Sequence, residues 1–112
     1  MRPSSATETM GAMRAMPDNG ANVNTGYVTG SPRLDYRVSF AKTGTVYVWV
    51  RAYGADGSSD SLHSSLDEQV IATADRISGF GTAYTWTNTA YEDPERIMFE
   101  VKTPGPHTFN LY

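Results

Sequence analysis

Alternation of apolar and polar residues between positions 33 and 53 is the feature that most restricts how this chain can fold. In 34–40 every second residue is apolar, which predicts a strand with one buried face, because successive strand side chains point to opposite sides. In 46–53 the even positions are valine or alanine, and the odd positions hold two tyrosines, a tryptophan and an arginine. Both faces are partly apolar, so this second segment is predicted to be a central strand covered on each side. Gly44 favours a tight turn between the segments, and we expect them to form an antiparallel hairpin.

Short strand patterns separated by turn signals continue to the end of the sequence. Further strands are predicted at 61–66, 69–74, 83–87, 96–102 and 107–112. Asp67 and Glu68 form a predicted turn, although a helix over 66–77 is a competing interpretation of that stretch. Several short strands at this spacing are typical of an all-β fold, and we expect an antiparallel jelly-roll β-sandwich. The sequence predicts a single β-sandwich domain at 11–112 after a flexible N-terminal arm at 1–10.

Composition and charge argue against several classes of protein. The 112 residues include no cysteine, which excludes a disulfide framework and a thiolate zinc site. No stretch approaches the about 18 consecutive apolar residues of a membrane-spanning helix. The net charge is −3 and the basic residues are scattered, so we expect neither nucleic acid nor a membrane as a partner. Positions 1–10 show no signal-peptide pattern, which leaves the localisation undetermined.

The sequence shows no catalytic motif, and we expect a protein that is not an enzyme. His63 and His107 stand apart, without the neighbours of a nucleophile elbow or a zinc-binding helix. Ser58, Asp60 and His63 could be combined into a triad, but they are crowded in one stretch and are expected to be solvated turn residues. The acidic residues between 92 and 100 are likewise expected to be solvated loop charges.

Two stripes of aromatic residues are the candidate binding site, because the apolar faces of sugar rings stack on tryptophan and tyrosine. One stripe lies at 47–53 and the other at 84–86. Core packing is the favoured interpretation for Trp49, with Asp35 or Asp60 as the carboxylate partner of a buried Arg51. The pattern leaves open whether Trp86 is buried or binds ligand, and it places Asn110 on an outward face. The candidate ligand-binding residues are Trp86, Tyr84, Asn88, Trp49, Arg51, Tyr53 and Asp60.

Three stretches of the sequence resemble a bacterial carbohydrate-binding β-sandwich of the malectin-like or galactose-binding-like kind. They are Leu34-Asp35-Tyr36-Arg37-Val38, the run from Gly44 to Arg51, and the run from Gly57 to Ser61. The resemblance implies a jelly-roll fold, weak binding of a poly- or oligosaccharide, and a secreted or cell-surface location. Many such modules also hold a structural calcium ion between acidic residues of their first and last strands. Those acidic ligands are not evident here, so no cofactor is expected.

Measured against that family, the chain is shortened at both ends. A sandwich that lacks a terminal strand leaves unpaired backbone groups along the neighbouring strand. We therefore expect self-association through sheet edges, giving a homo-oligomer. The alternative function is a self-associating structural β-domain that has lost ligand binding.

Overall fold

The computed structural model describes residues 12–16, 19–71, 76–91 and 96–112. The strands in these residues are β1 Leu34–Phe40, β2 Gly44–Tyr47, β3 Val50–Ala52, β4 Leu62–Leu66, β5 Arg76–Ile77, β6 Thr85–Thr87, β7 Met98–Val101 and β8 Gly105–Leu111. Every pairing between them is antiparallel, and the predicted all-β class is confirmed. The predicted arm at 1–10 lies outside the described residues.

The largest sheet of the described residues has four strands, in the order β1-β8-β4-β5. β1 pairs with β8 in unbroken register from Leu34 opposite Leu111 to Phe40 opposite Gly105. The predicted hairpin between β1 and the next strand is wrong, because β2 pairs instead with β7. Alternation specifies which side chains share a face but not which strand lies alongside, and residues 41–43 carry the chain from one sheet to another.

Two short ribbons, β2–β7 and β3–β6, are the other two sheets of the described residues. Only Val48 and Trp49 separate β2 from β3, and the Val48 N–H donates to the Ile97 carbonyl at 3.0 Å. The chain from β2 to β3 therefore passes directly from one ribbon to the next. It pairs first with β7 and then with β6.

The core contains residues of the four-stranded sheet and of both ribbons. Phe99 of β7 meets Phe109 of β8 edge to face, with ring centroids 6.0 Å apart. Ile77 and Ile97 are fully buried. The side chains of the β2–β3 segment that pack against this core are Val46, Val48, Val50 and Ala52. That segment is covered on this face alone, so the prediction of a strand covered on both sides is wrong.

Strand β1 also departs from its predicted burial. Tyr36 and Val38 were expected to face the core, yet they are 45% and 36% exposed. β1 is the outermost strand of its sheet, and it reaches the core cluster only at Phe40. The apolar–polar alternation is present, but Tyr36 and Val38, in the middle of β1, lie beyond the edge of the core.

The turn predicted at Asp67 and Glu68 is confirmed. Both residues have a left-handed backbone, with φ of 52° and 61°. The flanking backbones of Leu66 and Gln69 exchange hydrogen bonds, as in a two-residue hairpin turn. The competing helix is excluded over 66–71, and the predicted strand 69–74 is reduced there to an isolated bridge at Gln69. Residues 72–75 of both predictions lie outside the described part of the chain.

A single-turn helix, α1 Tyr27–Gly30, lies over the four-stranded sheet. Its buried Tyr27 stacks on His63 of β4, with ring centroids 4.0 Å apart and planes inclined by 11°. Within the described ranges, the structure contains no helix with the length and apolar character needed to span a membrane.

Candidate functional site

The strand segment that covers the core on one side turns a row of large side chains outward on the other. Its even positions from 46 to 52 pack inward, so the side chains between them point away from the core. Tyr47, Trp49 and Tyr53 are each more than half exposed. Arg51 lies between them in sequence and is also exposed.

The neighbouring strand completes this surface. Trp86 of β6 lies directly opposite Arg51 and is 60% exposed. The Arg51 guanidinium lies over the ring of Tyr84, with Cζ 4.8 Å from the centroid. The ring centroids of Tyr84 and Tyr53 are 6.0 Å apart. We call this surface the aromatic face; it consists of Tyr47, Trp49, Arg51, Tyr53, Tyr84 and Trp86.

Two further residues extend the aromatic face beyond what the sequence indicated. Met98 of β7 lies opposite Tyr47 and is 39% exposed. The Cζ of Arg96 is 5.5 Å from the centroid of the Tyr47 ring. Their outward direction was readable from alternation with the inward Ile97, but their position beside Tyr47 depends on the β2–β7 pairing.

Arg51 and Arg96 bring positive charge to the aromatic face. In the described part of the chain, Arg51 and Arg96 each lie over a tyrosine ring and form no ion pair. Such exposed cation–π contacts are worth about 0.5–1 kcal/mol. The predicted pairing of Arg51 with Asp35 or Asp60 is therefore wrong. Asp35 pairs with Arg33 at 3.0 Å.

The preference for Trp49 as a core residue is also wrong. Its side chain is 56% exposed. The prediction followed from treating the strand as covered on both faces. Only the face that carries its valines packs against the core. Trp49 instead joins Trp86 on the aromatic face, so the structure places both tryptophans of the chain on one surface.

The structure gives the remaining two candidates mainly backbone roles. Asn88 follows β6, is half-buried, and accepts a hydrogen bond from the Ile97 N–H on its carbonyl. Asp60 is half-buried against Gly54, where an added Cβ would lie 2.8 Å from the Asp60 Cα. Glycine is therefore required at 54 for the loop 55–60 to close beside Tyr53. Trp86, Tyr84, Arg51 and Tyr53 are the candidates that the structure brings together.

Asn110, expected to face outward, is completely buried. Its Nδ2 donates to Asp35 Oδ1 at 2.7 Å, and its Oδ1 accepts from Ser65 Oγ at 2.8 Å and from the Glu68 N–H at 2.9 Å. These bonds connect β1, β8, β4 and the turn at 67–68. The hydrogen bond from Asn110, followed by that from Arg33, lowers the pKa of Asp35. The role of Asn110 is structural.

A second polar contact fixes the other side of the same turn. His107 Nδ1 lies 2.5 Å from Asp67 Oδ2, and its Nε2 lies 2.7 Å from the Thr103 carbonyl oxygen. A carboxylate and a carbonyl only accept hydrogen bonds, so both ring nitrogens can donate to them at once only when the imidazole is protonated. The Asp67 carboxylate, and then the Thr103 carbonyl, raise the pKa of His107. His107 and the Thr108 N–H lower the pKa of Asp67.

This contact predicts a pH-dependent stability. His107 contributes fully below its ordinary pKa of 6.5, and the contribution is lost as pH rises through the raised pKa of the folded state. Asp67 contributes fully above its ordinary pKa of 3.8, and its contribution is lost as pH falls through the lowered value. The Tm difference between wild type and His107→Gln should therefore shrink as pH rises above about 6.5.

Thermal unfolding followed by circular dichroism across this pH range measures the difference. His63 is present in both proteins, so it does not contribute to the difference. A Tm difference that stays constant with pH would show that the His107–Asp67 contact carries no charge.

The structure places two of the triad candidates in different surroundings. His63 was expected in a solvated turn, but it is buried in β4 beneath Tyr27. Ser58 lies in the exposed loop, where its N–H donates to the Asp56 carboxylate. Within these ranges no three histidine, aspartate or glutamate side chains are grouped so as to hold a metal ion.

Comparisons with protein-family models, with curated proteins and with solved structures give no match to this chain.

Proposed function

We propose that this chain is a non-catalytic glycan-binding domain with a jelly-roll β-sandwich fold, similar to bacterial carbohydrate-binding modules. The aromatic face is the observation that carries the proposal. The four-stranded sheet and the two ribbons contribute to one core, which supports the sandwich architecture. The exposed row along one side of it supports a binding function.

The composition of the aromatic face suits a sugar better than a purely apolar ligand. Tyrosine and tryptophan rings offer flat apolar surfaces for the C–H faces of a pyranose, and their polar edges remain near water. The exposed Arg51 guanidinium, which lies over Tyr84, offers several N–H donors to hydroxyl oxygens at the same surface. Each such hydrogen bond replaces one to water and contributes about 1 kcal/mol, so weak binding is expected.

The length of the row favours a chain of several sugar rings. From Tyr47 to Tyr53 the strand segment spans about 20 Å, at roughly 3.3 Å per residue. Alternate residues face the same side, which sets aromatic rings in succession along the strand. An extended oligosaccharide lying along the segment would contact more than one of them.

Titration with soluble oligosaccharides tests the proposal, with tryptophan emission as the signal. Because both tryptophans lie on the aromatic face, ligand binding there should shift or quench the emission of the whole protein. Trp86→Ala should weaken binding about tenfold or more, since a stacked aromatic ring is worth 1.5–3 kcal/mol when buried. Isothermal calorimetry supplies the affinity of the variant that has lost this tryptophan.

Two tyrosines provide a matched pair of variants. Tyr84 and Tyr91 are 50% and 58% exposed, and each lies beneath an arginine, Arg51 and Arg76 respectively. Only Tyr84 belongs to the aromatic face. Tyr84→Ala should weaken binding and Tyr91→Ala should not; equal effects, or none from either variant, would contradict the assignment. The oligosaccharide should be recovered unhydrolysed.

A further inference from the structure

Strand β1 forms an exposed edge of the four-stranded sheet. In the described ranges it pairs with β8 on one side only. All five residues from 35 to 39 are exposed. The outer side of β1 therefore presents a row of backbone N–H and C=O groups that a further strand can pair with.

β1 lacks two of the features by which proteins protect an edge, proline and a bulge. Its seven residues include no proline, and its register with β8 is continuous, without a bulge. Tyr36 and Val38 add exposed apolar surface to the same strand. A long, regular and partly apolar edge is a template for strand addition.

The charges of β1 select a second copy of the same strand as the partner. Asp35 and Arg37 are separated by one residue, so their side chains lie on the same face of the sheet. Arg37 forms no ion pair with any described residue. Asp35 is ionised and bonded to Arg33 and Asn110, and a carboxylate can accept about four hydrogen bonds.

Two antiparallel copies of β1 can pair about a two-fold axis in several registers. Only one of them sets both Asp35 and Arg37 opposite a residue of the other charge. Two antiparallel copies centred on Arg37 would set like charges opposite each other, and copies centred on Asp35 would do the same. Centring on Val38 leaves both charges without an opposite partner. Centring on Tyr36 sets Asp35 opposite the partner's Arg37 on both sides of the axis.

The apolar residues agree with that register. Tyr36 then lies opposite the partner's Tyr36, and Leu34 lies opposite the partner's Val38. Cross-strand aromatic and opposite-charge pairs are the contacts that stabilise antiparallel pairing. We propose that the protein forms a homodimer in which β1 pairs with β1 of a second copy about a two-fold axis at Tyr36.

The dimer joins two four-stranded sheets into one continuous sheet, and its paired strand β1 contains no residue of the aromatic face. This inference is independent of glycan binding. If the aromatic face binds glycan, the dimer presents two copies of it, and attachment to a polymeric glycan gains avidity.

Sedimentation velocity without ligand, over a wide concentration range, tests the dimer. Wild type should shift from monomer to dimer as concentration rises. Arg37→Glu, which sets acidic residues opposite each other, should weaken dimerisation about tenfold or more. The control Lys42→Glu makes the same change of charge at an exposed position outside β1 and should dimerise like wild type. A wild type that remains monomeric, or an Arg37→Glu variant that dimerises equally well, would overturn the proposal.

Disulfide trapping tests the register. The chain has no cysteine, so a single introduced cysteine reports on one position. Residues directly opposite in an antiparallel pair have Cα atoms about 4.5–5.5 Å apart, within the range that a disulfide bridges. Oxidised Tyr36→Cys should form a covalent dimer. Val38→Cys should not, because it lies opposite the partner's Leu34, four residues along the strand from the partner's own cysteine. The reverse result would refute this register.

Discussion

Asn110→Ala is expected to destabilise the protein by about 2–4 kcal/mol, because it removes the three hydrogen bonds of a buried amide at once. The completely buried Asn110 amide connects Asp35, Ser65 and the Glu68 N–H. Alanine leaves the Glu68 N–H without this acceptor at a residue with a left-handed backbone. Since small domains are stable by only about 5–15 kcal/mol, this is a large fraction of the total.

Urea unfolding followed by far-ultraviolet circular dichroism measures this loss. Tryptophan emission is a poor probe of unfolding here, because Trp49 and Trp86 are already exposed in the folded state. Asn24→Ala makes the same substitution at an exposed position and should change stability by less than about 0.5 kcal/mol. Equal unfolding midpoints for the two variants would rule out a structural role for the Asn110 network.

Ile97→Ala is expected to cost about 2–5 kcal/mol through lost burial and the cavity left behind. Ile97 is fully buried in the core cluster, and its backbone binds both Asn88 and Val48. The side chain therefore lies where β6, β7 and the β2–β3 segment meet. Its loss should weaken the contact between the ribbons and the four-stranded sheet.

The same unfolding experiment provides a matched control at a second isoleucine. Ile71 is 40% exposed, so Ile71→Ala should have an effect below about 1 kcal/mol. If both variants unfold at the same urea concentration, the ribbons do not pack on the sheet through this core.

Alternation predicted most strands of the fold and the wrong partners for two of them. Phe99 and Val101 face inward as predicted, and the turn at Asp67 and Glu68 is where its polar residues indicated. The pairing of β1 with β8 joins strands about seventy residues apart, and local pattern carries no information on such contacts. The predicted hairpin failed for this reason.

The sequence grouped the aromatic residues of the candidate site correctly. It predicted the wrong burial for Trp49 and for Asn110. A period of two grouped Trp49 and Arg51 on one face, and the structure confirms that they share it. Which of two partly apolar faces is covered depends on the other sheet, so the sequence could not exclude core packing for Trp49. Asn110 shows the opposite case, since a polar residue in a strand is buried when its neighbours supply every hydrogen bond.

Binding of purified wild-type protein to a glycan array, beside a folded Trp49→Ala/Trp86→Ala variant, tests the central claim most directly. We predict that wild type binds at least one class of oligosaccharide or polysaccharide and that the double variant binds none. Circular dichroism should show the same fold for both, because neither tryptophan contributes to the core. A folded wild-type protein that binds no glycan, or a double variant that binds as well as wild type, would contradict a glycan-binding role for the aromatic face.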